Sequence, residues 1–393
     1  MQGNPNTDPG TSPGRAATIA VLAISSLTIM ANATISPSLP GLAKQFADTP
    51  EIESLLGLML SLPSLTIILT AALFGIAAER FGRKPVLLVA LVLYAIGGAS
   101  GLTVDTMSGL LAGRVVLGLG VAGTMTVATM LAGDLWTGQA RMKFMGKQAA
   151  FMSLGGIIFI ALGGFLAEAS WRGAFGLYLL SLPIAVFAML GLGAEPAKNT
   201  NASPDKAPLD WAICLKVGTL AFLTMGLFYV IPVRLPFIVQ QVGVTSTTVS
   251  GLALASVTFA GMLASINYQR IGQMLSPVGI YALGFGCFAV GYGLIATAGG
   301  LPQVIIGSMV SGVALGAIMP NQNNWLMGSV HPQARGRAAG VLTTFVFAGQ
   351  FAGPLFAGVA NLFVSLHGIF AVFAIAAGVL SVTLMILARS ERG

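Results

Sequence analysis

The sequence predicts an all-α integral membrane protein, with twelve transmembrane helices folded as two pseudo-symmetric six-helix bundles. Three observations carry that prediction: a composition that water cannot solvate, twelve apolar runs of membrane-crossing length, and an internal repeat across one long polar connection. Of 393 residues, 55% are hydrophobic and 8% charged, against roughly a quarter charged in soluble domains. The 19 Lys+Arg and 12 Asp+Glu side chains cannot coat a soluble fold of 40.2 kDa. The same numbers exclude a disordered chain. The 51 Gly have no period of three and there are only two Cys, which excludes collagen and a disulfide scaffold. Cys214 and Cys287 fall in apolar runs and are expected as buried free thiols.

About 20 apolar residues cross the hydrocarbon layer as a helix. Runs of that kind, bounded by charges, Pro or polar clusters, occur at 17–38, 54–78, 85–104, 107–132, 144–167 and 173–193, and again at 211–236, 248–270, 277–298, 302–328, 336–362 and 367–388. The first is too long for a signal-peptide core and lacks a cleavage site, so it is expected to remain as a span. Placing both termini in the cytoplasm puts Arg15, Arg80, Arg83, Lys84, Arg141, Lys143, Lys147, Lys198, Lys206, Lys216, Arg270, Arg335, Arg337, Arg389 and Arg392 inside, 15 of the 19 cations. Positive residues collect on the cytoplasmic side of membrane proteins, and this pattern sets the expected orientation. The cations form short clusters between apolar runs with no basic stripe, so the pI near 9.7 points to topology and not to nucleic acid.

The longest polar connection, 195–210, has six spans on each side and reads as a linker. The expected organisation is a cytoplasmic tail at 1–16, one bundle at 17–194, the linker, a second bundle at 211–388 and a tail at 389–393. Sliding the second half back by 194 residues pairs Gly113 with Gly307, Gly118 with Gly312, Ala140-Arg141 with Ala334-Arg335, Gly146 with Gly340, and Gly164 with Gly358. A similar offset pairs Leu39-Pro40 with Leu235-Pro236. Related halves facing each other across a bilayer suit a transporter with a central site.

Between the second and third runs stands Gly75-Ile-Ala-Ala-Glu79-Arg80-Phe-Gly82-Arg83-Lys84. It resembles the loop signature of the major facilitator superfamily, with Glu79 where that signature has Asp. Arg114, Gly118 and Gly120 resemble the family's Arg-x-x-x-Gly-x-Gly on span four. Asp134 and Gln139-Ala140-Arg141 resemble the acidic end of that span and its basic loop, and Trp171-Arg172 the opening of span six. The resemblance covers essentially the whole chain and implies the major facilitator fold. The drug-exporting branch usually carries Gly-Pro ahead of a paired Gly on span five. This chain has Phe159-Ile160 there, and its Gly353-Pro354 lies at the corresponding place on span eleven. As a latch between bundles the loop motif makes physical sense: Gly75 would allow another helix close, and Glu79, Arg80, Gly82, Arg83 and Lys84, with Asp134 and Arg141, would form a breakable ionic network.

Polar groups at bilayer depth are costly, so those present are expected to face a cavity or the other bundle. The twelve acidic residues all fall in tails, loops or span ends, leaving no mid-membrane carboxylate. Arg114 lies about 10 Å into span four at 1.5 Å per residue and Arg234 toward the outer end of span seven. Both are candidates to meet an anionic solute. Ser25, Thr28, Asn32 and Ser36 share one helical face. Candidate contacts are therefore Thr28, Asn32, Arg114, Gln148, Tyr229, Arg234, Asn321, Asn324 and Gln350, with Asn321 and Asn324 expected on one cavity-facing side of span ten. His331 and His367 are isolated, and neither a metal nor a cofactor is expected.

The sequence lacks convergent catalytic groups at depth, a ring of filter residues and a phosphate-binding Gly-x-x-x-x-Gly-Lys loop, which argues against an intramembrane enzyme, a channel and a nucleotide-driven pump. The expected function is secondary active transport of a small amphiphilic or anionic organic solute by alternating access, as proton-coupled efflux. Uptake of an organic anion by symport or facilitated diffusion is the alternative. The expected setting is a bacterial inner membrane and the expected form a monomer, with protons, lipid and a small molecule as its partners.

Overall fold

The structure, a computed structural model, describes residues 14–136, 138–192 and 208–390, without the side chains of Asn32 and Met142. Most of the expected linker at 195–210 and most of the tails at 1–16 and 389–393 lie outside the described residues. Among the described residues there are 12 helical segments long and apolar enough to cross a membrane. They are Arg15–Gln45, Ile52–Phe81, Arg83–Leu102, Met107–Leu135, Gln139–Ala169 and Gly173–Gly191 as spans one to six, and Trp211–Gln241, Thr247–Ile266, Pro277–Ala296, Leu301–Ser329, Pro332–Ala360 and Leu366–Ser390 as spans seven to twelve. The protein is a multi-pass membrane protein. Odd spans run from the end that carries both termini to the opposite, far end, and even spans return.

Proline accounts for the breaks in spans one and seven, although Pro63, Pro236, Pro320 and Pro354 sit within continuous helices. A proline at position i removes the bond to the carbonyl of i−4 and collides with it. The helix Arg15–Ala33 stops four residues before Pro37, and a 3-10 turn at Ser36–Ser38 leads into Leu39–Gln45. Span seven breaks at Tyr229, between Trp211–Phe228 and Val230–Gln241, with Pro232 four residues after Phe228. These resumed helices carry both spans beyond their expected ends at 38 and 236. In span six the 3-10 segment Gly173–Leu180 gives way to the helix Ser181–Gly191 just ahead of Pro183.

Each half has its own core. One cluster joins Leu27, Leu60, Leu91, Leu117 and Phe175, and another joins Leu254, Phe285, Ala314 and Phe370. Cys214 is buried as expected, whereas Cys287 is only partly covered. The 194-residue repeat is visible in the packing itself. A Cβ on Gly118 would stand 2.9 Å from the Pro63 carbonyl oxygen, and one on Gly312 would stand 2.1 Å from that of Val257. Gly97 faces Gly113 as Gly291 faces Gly307. Both members of each pair are displaced by the same 194 positions, so the repeat preserves contacts as well as residue types.

The same relation governs the seam between halves. Gly251 on span eight lies against Gly164 and the Ile160 carbonyl on span five, and its counterpart Gly57 on span two lies against Pro354 on span eleven. The two sides differ in tightness. A Cβ on Gly164 would come 2.6 Å from the Thr247 carbonyl oxygen, whereas one on Gly57 would find its nearest neighbour at 3.6 Å.

Contact, and not motif, decides which glycines matter. Gly97→Ala would press a methyl to 2.2 Å from the Leu117 backbone nitrogen, whereas Gly75→Ala meets only Thr126 Cγ2 at 3.7 Å. Gly97→Ala is expected to destabilise the protein by about 1–3 kcal/mol and lower its thermal midpoint. Gly75→Ala, which also gains helix propensity, should leave the midpoint unchanged or raise it.

Candidate functional site

A cavity of about 200 Å³ lies in the first half, lined by Ser25 and Thr28 of span one, Met125 and Thr129 of span four, and Gln148 and Met152 of span five. At 1.5 Å per residue these positions stand about 9 to 20 Å from the end that carries the termini. Span one supplies its polar face here because residues 25 and 28 are about one helical turn apart. The Ser25 hydroxyl donates to the Val21 carbonyl at 2.7 Å and accepts from Gln148 Nε2 at 2.7 Å. Thr28 of the span-one stripe and Gln148 of span five therefore line one cavity. Asn32 belongs to that stripe by position, but its side chain lies outside the described residues.

Neither arginine lines this cavity. Arg114 is 1% exposed, donates from Nη1 to the Tyr178 hydroxyl at 3.2 Å, and lies over the rings of Phe175 and Tyr178 at 4.9 and 5.2 Å. Tyr178 in turn donates to the Ala31 carbonyl at 2.8 Å, and Tyr94 to that of Leu27 at 2.7 Å. Ala31 sits in the last turn before the span-one break, where helical carbonyls lose their partners. Arg114 thus braces that break from inside the first half. Arg234 is also 1% exposed and is committed to Glu53 at 2.7 Å.

The remaining candidates divide. Gln350 accepts a hydrogen bond at 3.1 Å from Ser64 of the other half. Tyr229 is buried at the span-seven break beside Phe228. Asn321 and Asn324 do not share a surface: Asn321 is buried, donating to the Pro277 carbonyl at 3.0 Å and accepting from the Tyr268 hydroxyl at 3.4 Å, while Asn324 is exposed. The physical reason is span nine, whose N-terminal end covers the Asn321 side of the helix.

At the far end the halves are tied by polar contacts that the sequence did not single out. Glu53 accepts from both Arg234 at 2.7 Å and Asn361 at 3.1 Å. Glu168 accepts from the Ser246 and Thr248 hydroxyls and from the Thr248 backbone N–H, all between 2.9 and 3.1 Å, and the Thr247 hydroxyl donates to the Gly164 carbonyl at 2.8 Å. The Ser36 hydroxyl donates to the Pro232 carbonyl, joining the two proline-broken spans. The repeat offered a signal for these groups, since Glu53 and Thr247 are 194 positions apart.

The loop motif lies at the opposite end. Gly82 has φ 97°, a conformation that favours glycine, and it separates spans two and three. Arg83 donates to Asp134 at 3.0 Å, tying the loop to the end of span four. Lys84 is partly buried, Glu79 and Arg80 are exposed, and Arg80 lies 5.3 Å from the centre of the Phe81 ring. Arg141 is exposed and reaches over Gly133. The expected close approach at Gly75 is not made, since a Cβ there would be in ordinary contact. The described contacts of the motif tie spans two to four within one half.

Removing the Glu53 charge leaves Arg234 buried and unpaired. Because the Glu53 side chain is 46% exposed, the cost is expected at about 1–3 kcal/mol, below that of a fully buried pair. Glu53→Gln should therefore raise labelling of Val233→Cys by an impermeant maleimide, in a background with Cys214 and Cys287 replaced by Ala. Unchanged labelling would remove the ion pair from the closure.

The family model described as Major Facilitator Superfamily matches residues 21–266 and 217–393. Relatives include the quinolone resistance protein NorA of Staphylococcus aureus, 23% identical over 311 residues, 77% of this chain and 80% of that protein. The class C tetracycline resistance protein of Escherichia coli is 31% identical over 159 residues, 40% of each chain. Among solved structures, the nucleoside transporter NupG superposes with TM-score 0.77 at 14% identity, covering 94% of this chain and 98% of that one. The inward open xylose transporter XylE from E. coli gives 0.73 at 16%, covering 93% and 94%. With a match over nearly the whole chain and the two-bundle fold in place, the chain belongs to the Major Facilitator Superfamily and is a secondary transporter, not an enzyme.

Proposed function

We propose that the protein exports small amphiphilic organic solutes from a bacterial cytoplasm by alternating access, in exchange for protons, from an inner membrane with both termini inside. The observation that carries this reading is the geometry of access. Polar contacts and backbone-to-backbone packing tie the halves at the far end, while the partly exposed cavity lies toward the end that carries the termini. Of the 16 cations among the described residues, 12 lie toward that end, which supports placing it in the cytoplasm. A solute would load from inside, and rocking of the halves about the central site would release it outside. Relatives named for quinolone and tetracycline resistance support an amphiphilic cargo. The burial of Arg114 and Arg234 outside the cavity lining counts against the uptake of an organic anion.

Proton exchange needs a group that changes charge during the cycle. Glu79 and Asp134 are accessible acidic residues near the cytoplasmic-side ends, and Asp134 already pairs with Arg83. Inside-out vesicles with an acidified lumen should accumulate an amphiphilic fluorescent dye and lose it when a protonophore is added. Accumulation that persists after the gradient collapses would refute proton exchange. Accumulation only in right-side-out vesicles would refute export.

A further inference from the structure

The lining of the cavity says more about its ligand than its position does, and the ligand class that the lining selects is the cargo only if the protein is the exporter proposed for it. Its side chains include hydroxyls, an amide and thioethers, and none of them is ionisable. The hydrogen-bond capacity of these groups is largely fixed by one another. Ser25 has a single hydroxyl proton, which goes to the Val21 carbonyl. Toward Gln148 it can therefore only accept, so the amide must turn its NH2 to Ser25 and keep its oxygen for another partner. Thr129 donates its proton to the Met125 carbonyl at 2.9 Å. Among the described residues, the Gln148 amide oxygen and the Thr28 hydroxyl have no partner. What the cavity offers is one amide acceptor beside one hydroxyl, with Met125 and Met152 as adaptable apolar wall.

Charge selects against the other ligand classes. A cation entering this site would meet no carboxylate, and an anion would meet no guanidinium, because Arg114 and Arg234 are each 1% exposed and neither lines it. Either ion would give up hydration without a compensating charge. A neutral molecule with an apolar body and one hydroxyl or N–H donor gives up least and satisfies the Gln148 oxygen. We infer that the transported solute is an uncharged amphiphile recognised through a hydrogen-bond donor, which Gln148 reads from span five beside Thr28.

The test is a matched ligand panel on the full chain in nanodiscs. Decyl, naphthylethyl and adamantylmethyl skeletons are each prepared as the alcohol, methyl ether, carboxylate and trimethylammonium, and binding is measured by calorimetry. Within each skeleton that binds, the alcohol should bind about three- to tenfold tighter than its ether, and both ionic members more weakly than the ether. Gln148→Leu should erase the difference between alcohol and ether. Gln148→Glu should gain affinity for the trimethylammonium member, an outcome that a misfolded variant cannot produce. Equal binding of alcohol and ether, tightest binding of an ionic member, absence of binding by every alcohol, or a difference that survives Gln148→Leu would each overturn the inference. Flux of the same panel in inside-out vesicles separates the two readings. Export of an ionic member alone removes this inference and leaves export standing, while an alcohol that binds without moving outward removes export and leaves the recognition standing.

Discussion

An unpaired polar group in hydrocarbon costs several kcal/mol, and that penalty shapes the parts of this transporter that are not plain helix. Pro37 and Pro232 break spans one and seven near the far end, freeing backbone carbonyls where neither lipid nor water can serve them. Tyrosines from neighbouring spans supply donors at the breaks: Tyr178 donates to the Ala31 carbonyl and Tyr292 to the Leu227 carbonyl, each in the last turn before its break, while Tyr94 adds a bond to the Leu27 carbonyl further back on span one. Ser36 then donates to Pro232 across the seam. The irregular backbone is thus buried in protein, the condition under which membranes tolerate it.

Once the breaks are fixed, the seam between the halves is set. Gly164 and Gly251 bring spans five and eight into backbone contact, while Gly57 and Pro354 meet more loosely on the symmetry-related side. Tight packing on one side and ordinary contact on the other give the closure a firm edge and a yielding edge. Two half-exposed or exposed carboxylates, Glu53 and Glu168, complete it with contacts that water can reach and therefore compete for. Such contacts hold a gate without making it permanent.

Much of this was legible in the chain itself. The twelve spans came from apolar run length, the repeat from a 194-residue offset, Thr28 from helical spacing and Gln148 from standing as a polar group in an apolar run, because a bilayer makes such groups costly. Arg114 and Arg234 were recognised as unusual, but their partners were not. Tyr178 lies 64 positions from Arg114 and Glu53 lies 181 from Arg234, and spacing along one helix carries no information about contacts between helices. Asn321 and Asn324 show the same limit: three residues apart suggested one face, yet the start of span nine covers the first and leaves the second exposed. The glycine of the loop signature drew attention by its motif, while Gly97, set in an unmarked apolar run, and Gly164, noted only as a repeat match, make the closer contacts.

The central claim is that the two halves open and close at opposite ends in alternation. Spin labels at Ser170 and Gln241 report the far end, and labels at Gln139 and Gln333 report the end that carries the termini. Double electron–electron resonance on both pairs in nanodiscs should give anti-correlated distances: short at the far end and long at the other in the resting protein, with the reverse population rising under an imposed pH change or bound solute. Distances that lengthen together, or a termini-end pair that never shortens, would contradict it.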